Sequence, residues 1–405
     1  MIARWQMALP PGLLTAAVAC LACSHPAVTA PEPLAGVPPE RLARLARSTN
    51  LTRWSPLAPE PWRGGDLSDA DLGLIRSLGF TAVRLFVPLG PLFRPAAPDS
   101  LSPAMLASVD GMLDRLLAQG LGVIVVPHPS AAERRFETDS AYAEAFVRFW
   151  TALARHLSRR DPERVFLEVV NEPVFTGRAS NWPPIQQRLL AAMRREAPRH
   201  TLIAAGTGWS SISGLLRLPP VADRNVVYTF HFYEPFEFTH QGERWAGPPG
   251  ALRGVPYPPD SAACARSAEA QRDSTAAHAV RRYCAQAWDP SLIIRKVARA
   301  AAWGRQHAVP VFLGEFGASR TAAPPADRAA WIRDVRVAAE RLGVPWGVWG
   351  FDDGFGLDAR RGPDGVMVVD MSVVRALGLR ADSTWVSRLP GPRPHGHATP
   401  ATAQE

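Results

Sequence analysis

Along most of the chain, short apolar runs alternate with longer stretches in which apolar residues recur every three or four positions. The short runs read as strands and the longer stretches as amphipathic helices. Their alternation predicts a parallel sheet with helical crossovers. Eight strands are expected, at 43–51, 81–87, 122–126, 165–170, 201–205, 225–230, 310–313 and 344–349. A helix is expected from Ser102-Pro103, where a cap and a first-turn proline precede Met105, Leu106, Val109, Met112, Leu113, Leu116 and Leu117 on one face, with Gly120 closing it. Stretches 140–160, 184–197, 291–307 and 326–342 read the same way. This pattern fits the α/β class, as a single (β/α)8 TIM barrel over about residues 40–388. One long irregular insertion is expected after strand six, over about 234–289. A loop of that length is usually functional.

Composition supports a folded domain. Hydrophobic residues make up 47% and charged residues 20%, enough apolar material for a large core. The net charge of +8 does not point to nucleic acid. Lys296 is the only lysine, and the arginines are scattered among acidic residues rather than gathered into a run. The N-terminus, residues 1–30, reads as an export signal: Arg4 precedes an apolar segment, 13–22, too short to span a bilayer. Two endings compete. Val28-Thr29-Ala30 is an Ala-type cleavage site, while Leu21-Ala22-Cys23 resembles a lipoprotein box that would make Cys23 a lipid anchor. Residues 31–39 form a Pro-rich linker, and 389–405 read as a disordered tail. Export bears on the cysteines. Cys264 and Cys284 lie in one stretch, and in an oxidising compartment they are expected to pair.

In such barrels the chemistry sits at the C-terminal strand ends. Those ends carry Arg84, His128, Asn171-Glu172-Pro173, His231 and Tyr233, Glu315 and Trp349. By period-two alternation, Phe166, Glu168, Val170 and Glu172 share an inward face. So do Ile124, Val126 and His128, and Val311, Leu313 and Glu315. A buried Glu168 needs a partner, and Arg84 is the candidate. Two glutamates at strand ends four and seven face each other across a closed eight-stranded barrel. That is what glycosidic cleavage requires: one carboxylic acid to protonate the leaving oxygen and one carboxylate to attack the sugar carbon. Tyr233 and Arg84 are expected to bond the nucleophile, and the opposing negative charge to raise the acid's pKa.

The segments Val165-Phe-Leu-Glu-Val-Val-Asn-Glu-Pro173 and Val311-Phe-Leu-Gly-Glu-Phe-Gly317 resemble glycoside hydrolase family 5, the cellulase family. Gly79-Phe-Thr-Ala-Val-Arg84, Val126-Pro-His128, His231-Phe-Tyr233 and Val348-Trp-Gly350 are similar to it as well, so the likeness runs over roughly 40–380. The resemblance implies Glu172 as acid/base and Glu315 as nucleophile. It implies Asn171 on the sugar 2-hydroxyl, and His231 and Tyr233 beside the nucleophile. Trp349 is implied as the sugar platform, with Arg84 and His128 around them. The pattern departs from the family at Ser48-Thr49-Asn50, where a Gly-containing turn is usual, and at Pro129.

The expected activity is retaining hydrolysis of a β-linked polysaccharide or oligosaccharide, with endo-β-1,4-glucan first and mannan or exo-acting β-1,3-glucan cleavage behind it. No cofactor or metal is expected, and the protein reads as an exported monomer without a membrane span. Two readings from other classes stand beside this one. A non-catalytic sugar-binding barrel is disfavoured by the presence of both glutamates. A metal-dependent hydrolase using His128 and His231 is disfavoured by the lack of a His-x-His pair on strand one. Trp209 and Trp245 are candidates for outer sugar contacts, and Asp352 and Asp353 read as loop residues.

Overall fold

The computed structural model describes residues 36–380, apart from 66, 363 and 364. The expected signal segment with both its endings and Cys23, most of the Pro-rich linker and the expected tail lie outside the described residues. Eight parallel strands close into a barrel in chain order. They are β1 (Arg47–Leu51), β2 (Ala82–Pro88), β3 (Gly122–His128), β4 (Val165–Glu168), β5 (Leu202–Ala205), β6 (Val226–Phe232), β7 (Val311–Phe316) and β8 (Trp346–Val348).

The helices form where their start signals stand. Ser102 caps the helix Pro103–Ala118 by accepting from the Met105 N–H, and Met105, Val109, Met112, Leu113 and Leu116 are buried on its inner face. Asp139 caps Ser140–Leu157, and Asp289 caps Pro290–His307. The first expected strand is corrected. Its opening residues belong to the helix Pro39–Arg44, and the strand proper starts at Arg47. Leu45 and Leu42, at the end of that helix, plug the barrel floor instead.

Two apolar layers result. One lies between sheet and helices and takes the outward strand residues, such as Val83, Leu85, Val123, Tyr228 and Leu313. The other fills the floor of the barrel with Leu45, Ile124, Phe166, Ile203, Val227 and Phe312. Above that floor the inward positions turn polar: Arg84 on β2, Glu168 on β4, Thr229 and His231 on β6. A polar layer over an apolar plug is where a site can form without weakening the core.

The insertion after β6 is mostly helical, not irregular. It contains Phe236–Thr239, Pro248–Ala251, Ser261–Glu269 and Ser274–Ala285. Asp260 and Asp273 cap its two longest helices. Cys264 and Cys284 form a disulfide that joins these helices.

Candidate active site

Period-two alternation alone does not put Glu315 in the barrel. Phe312 points inward to the floor and Leu313 outward to the helices, so Glu315 would follow Leu313 outward. A bulge re-aims it. The pairing of β6 with β7 runs Phe230 to Leu313 and then His231 to Glu315, skipping Gly314. Only glycine suits that position: a Cβ there would meet Thr229 Oγ1 at 2.5 Å and His231 Nε2 at 3.2 Å.

Arg84, inside β2 rather than at its end, organises the polar layer. Its Nε and Nη2 donate to the two Glu168 oxygens at 2.8 and 2.7 Å. Nη2 also donates to Asn171 Oδ1 at 2.8 Å, and Nη1 to Asn50 Oδ1 at 2.8 Å and Glu315 Oε1 at 2.7 Å. Asn50, within β1, was not among the expected site residues. It stands in the stretch that departs from the family pattern, and its amide donates to the carbonyls of Gly314 and Val348, tying the guanidinium to the bulge. Burial works against the Arg84 charge, but Glu168 and Glu315 outweigh it and hold the pKa above its ordinary value.

The other oxygen of Glu315 accepts from the Tyr233 hydroxyl at 2.9 Å. Burial and the nearby carboxylates raise the tyrosine well above its usual range, so it remains a donor. Burial also raises Glu315, while Arg84 and the Tyr233 hydroxyl pull it back down. His231 Nδ1 bonds Glu172 Oε1 at 2.9 Å and lies 3.4 Å from Glu315 Oε2. It therefore bridges both glutamates rather than flanking one. Burial drops its pKa to about 4, so it is neutral at neutral pH. Asn171 Nδ2 donates to His128 Nε2 at 2.7 Å, and burial keeps His128 neutral too.

Burial pushes Glu172 up to about 7; Arg134 and Arg84 oppose this, and Glu168 adds to it. The expected cause is corrected: desolvation comes first, and the leading negative neighbour is Glu168 rather than Glu315. One oxygen of Glu172, one of Glu315 and a His231 nitrogen lie within 4.8 Å of one another. Oxygens brought this close suit a retaining pair, whose carboxyl groups stand about 5–5.5 Å apart. The same three atoms could be offered to a cation. However, Arg84 already stands 2.7 Å from Glu315, and its charge opposes a metal there. His128 is not in this cluster.

Aromatic faces line the rim. Trp349, just past β8, is half-buried, with the His128 ring 6.0 Å away. Trp62, in the loop after β1, was not anticipated; it lies 6.3 Å from Trp349, edge-on, and 5.1 Å from Phe86. Trp209 and Trp245 are exposed. Trp245 is pinned to Glu243 and lies beside His240 and Phe355. Asp352 is structural: its carboxylate accepts from the Thr52 and Arg53 N–H groups.

Comparison with known proteins agrees with this architecture. The family model described as Cellulase (glycosyl hydrolase family 5) matches residues 48–354. Endoglucanase 3 of Fibrobacter succinogenes is 24% identical over 332 residues, 77% of this chain and 50% of that protein. Endoglucanase C of Acetivibrio thermocellus is 27% identical over 201 residues, 47% of this chain and 58% of that one. The chain thus spans about half the length of these curated relatives. Among solved structures, a hyperthermophilic endo-β-1,4-glucanase in complex with substrate is 25% identical with a TM-score of 0.67, covering 84% of this chain and 98% of that one. With the family model matched from β1 to the loop beyond β8, this chain belongs to glycosyl hydrolase family 5.

Proposed function

We propose that the protein is a retaining β-glycoside hydrolase acting on a β-linked glucan, with an endo-β-1,4-glucanase activity ahead of mannan or β-1,3-glucan cleavage. The observation that carries this is the facing pair of glutamates with opposite surroundings. Glu315 is held by a guanidinium and a phenol, which favour a carboxylate. Glu172 is desolvated beside a neutral histidine, which favours the acid.

In the first step Glu315 attacks the anomeric carbon and the glycosidic C–O bond breaks. The Glu172 proton passes to the departing oxygen. In the second step Glu172, now a carboxylate, takes a proton from water, whose oxygen displaces Glu315 and frees the sugar. The Tyr233 and Arg84 donors share the Glu315 charge in the resting enzyme and again as the second step restores the carboxylate. Asn171, oriented by Arg84 and His128, is in place to bond the sugar 2-hydroxyl, and Trp349 to stack under the ring. Trp209 and Trp245 offer further faces for neighbouring sugars.

The test is reducing-end release from carboxymethylcellulose, barley glucan, laminarin, mannan, xylan and short oligosaccharides, with Glu315→Gln as control. Release on a β-1,4-glucan that disappears in the control supports the reading. Wild-type rates in the control overturn the mechanism, and release on mannan alone replaces the substrate. Proton NMR must show β-configured product first; an initial α-product refutes retention.

Export is proposed on the same footing. The apolar N-terminal segment and the Cys264–Cys284 disulfide both suit an oxidising compartment. Among the described residues no helix is long and apolar enough to cross a membrane. N-terminal sequencing of the mature chain distinguishes cleavage after Ala30 from a lipid-bearing Cys23, and an intact Met1 would refute both.

A further inference from the structure

The loop after β3 grips the Glu172 segment by both polarities. It forms a tight turn at Ala131–Glu137. From this turn Arg134 donates through Nη1 to the main-chain carbonyl of Glu172. Glu137 accepts from the backbone N–H groups of Val174 and Phe175, at 2.9 and 2.8 Å. The two side chains also pair with each other at 3.7 Å, and only 14% and 11% of them is exposed. Charge-assisted bonds shielded from water in this way are the stronger kind.

The gripped segment needs holding. β4 has ended at Glu168, so few ladder bonds reach it. Glu172 and Phe175 have φ of +47° and +50°. Such a backbone conformation is strained for a non-glycine residue and persists only where its surroundings enforce it. The Arg134 guanidinium in turn lies over the Trp209 ring, 4.9 Å from its centroid, which fixes it from the loop after β5.

We propose that Arg134 and Glu137 are positioning residues that hold the Glu172 backbone in its left-handed conformation and keep the carboxyl aimed at Glu315. This rests on reading Glu172 as the acid/base. A second consequence follows from charge. Glu172 is faced by Arg84 from β2, Arg134 from the loop after β3, Glu168 from β4, His231 and Tyr233 from β6 and its end, and Glu315 from β7. Arg134 is the cation that most opposes the effect of burial on Glu172. Its removal therefore raises the pH at which Glu172 loses its proton.

The test begins without substrate. Protein labelled with 13C at the glutamate carboxyls is titrated by NMR, with Glu172→Gln assigning the resonance. Arg134→Met should move the Glu172 titration up by about one pH unit, the lower end of what one adjacent opposite charge exerts. Arg134→Gln, which keeps a donor but no charge, should move it likewise, and Arg134→Lys should stay near the parent. On aryl glycosides, Arg134→Met should lower kcat/KM, which reports the first step, about tenfold where the leaving group needs a proton, as unsubstituted phenol does. The loss should be far smaller with 2,4-dinitrophenol, which leaves unaided. An unshifted titration together with equal losses on both leaving groups overturns the proposal. A shifted titration in a protein that cleaves no substrate keeps the clamp and removes the hydrolase reading instead.

Discussion

Arg84→Met is the perturbation whose cost the structure fixes best. The guanidinium is 1% exposed and donates to Glu168, Asn171, Asn50 and Glu315. Methionine fills most of the volume but leaves Glu168, which has no exposed surface, charged and unpaired. Stripping one partner from a buried ion pair costs about 3–5 kcal/mol. At about 2 °C per kcal/mol for a domain of this size, melting should fall on the order of 6–10 °C. Adding Glu168→Met removes the stranded charge, so the double variant should recover much of that loss. Recovery stays incomplete because Glu315 keeps the Tyr233 hydroxyl but still lacks the guanidinium. Activity should not recover at all, since Glu315 remains without its guanidinium in both variants. Urea unfolding followed by tryptophan fluorescence measures the first effect and glucan hydrolysis the second. If the single variant loses less than about 1 kcal/mol, or the double is less stable than the single, the account of this ion pair is wrong.

Further outcomes follow from the same geometry. Because Glu172 must carry a proton in the first step and its pKa is pushed up to about 7, kcat/KM should fall as pH rises through about 7; a profile flat across about pH 6 to 9 contradicts this. The acid limb, set by ionisation of Glu315, should lie above that of an ordinary carboxylate, because burial raises it. Gly314→Ala drives a Cβ against Thr229 Oγ1 and His231 Nε2, so it should cost about 1–3 kcal/mol in urea unfolding and abolish turnover; a fully active variant would show that the bulge does not aim Glu315. Cys284→Ser opens a 20-residue loop and should cost about 3 kcal/mol of stability by loop entropy, measured by calorimetry, while leaving the pH profile unchanged.

Much of this was legible from residue order. The eight strands lie within a few residues of where the short apolar runs put them, because helices separate them, several with a side-chain cap of their own. The glutamates, His128, Asn171, His231, Tyr233 and Trp349 gather at the strand ends, while Arg84 lies deeper, inside β2, and bonds Asn171 and Glu315 from there. The Arg84–Glu168 pair follows from the rule that a buried charge needs a partner. Where the reading failed, the reasons are physical. The end of the helix Pro39–Arg44 was absorbed into the first strand because Leu45, just beyond it, is buried in the barrel floor as a strand residue would be. The insertion was read as irregular although Asp260 and Asp273 stand where N-caps belong. The inward turn of Glu315 depends on a bulge at Gly314 that period two cannot contain. Asn50, Arg134 and Glu137 act through contacts distant in sequence, with Asn50 to Gly314 separated by 264 positions. No local pattern marks such residues.

The account rests most heavily on Glu315 as the attacking carboxylate. Its most direct test is to treat the enzyme with 2,4-dinitrophenyl 2-deoxy-2-fluoro-β-cellobioside, which forms the glycosyl-enzyme readily but releases it slowly, and to map the adduct by peptide mass spectrometry. The account predicts one equivalent of dinitrophenol and a single label on Glu315. A label on Glu172 or elsewhere, or dinitrophenol release with no covalent adduct in an enzyme that cleaves glucan, would contradict it.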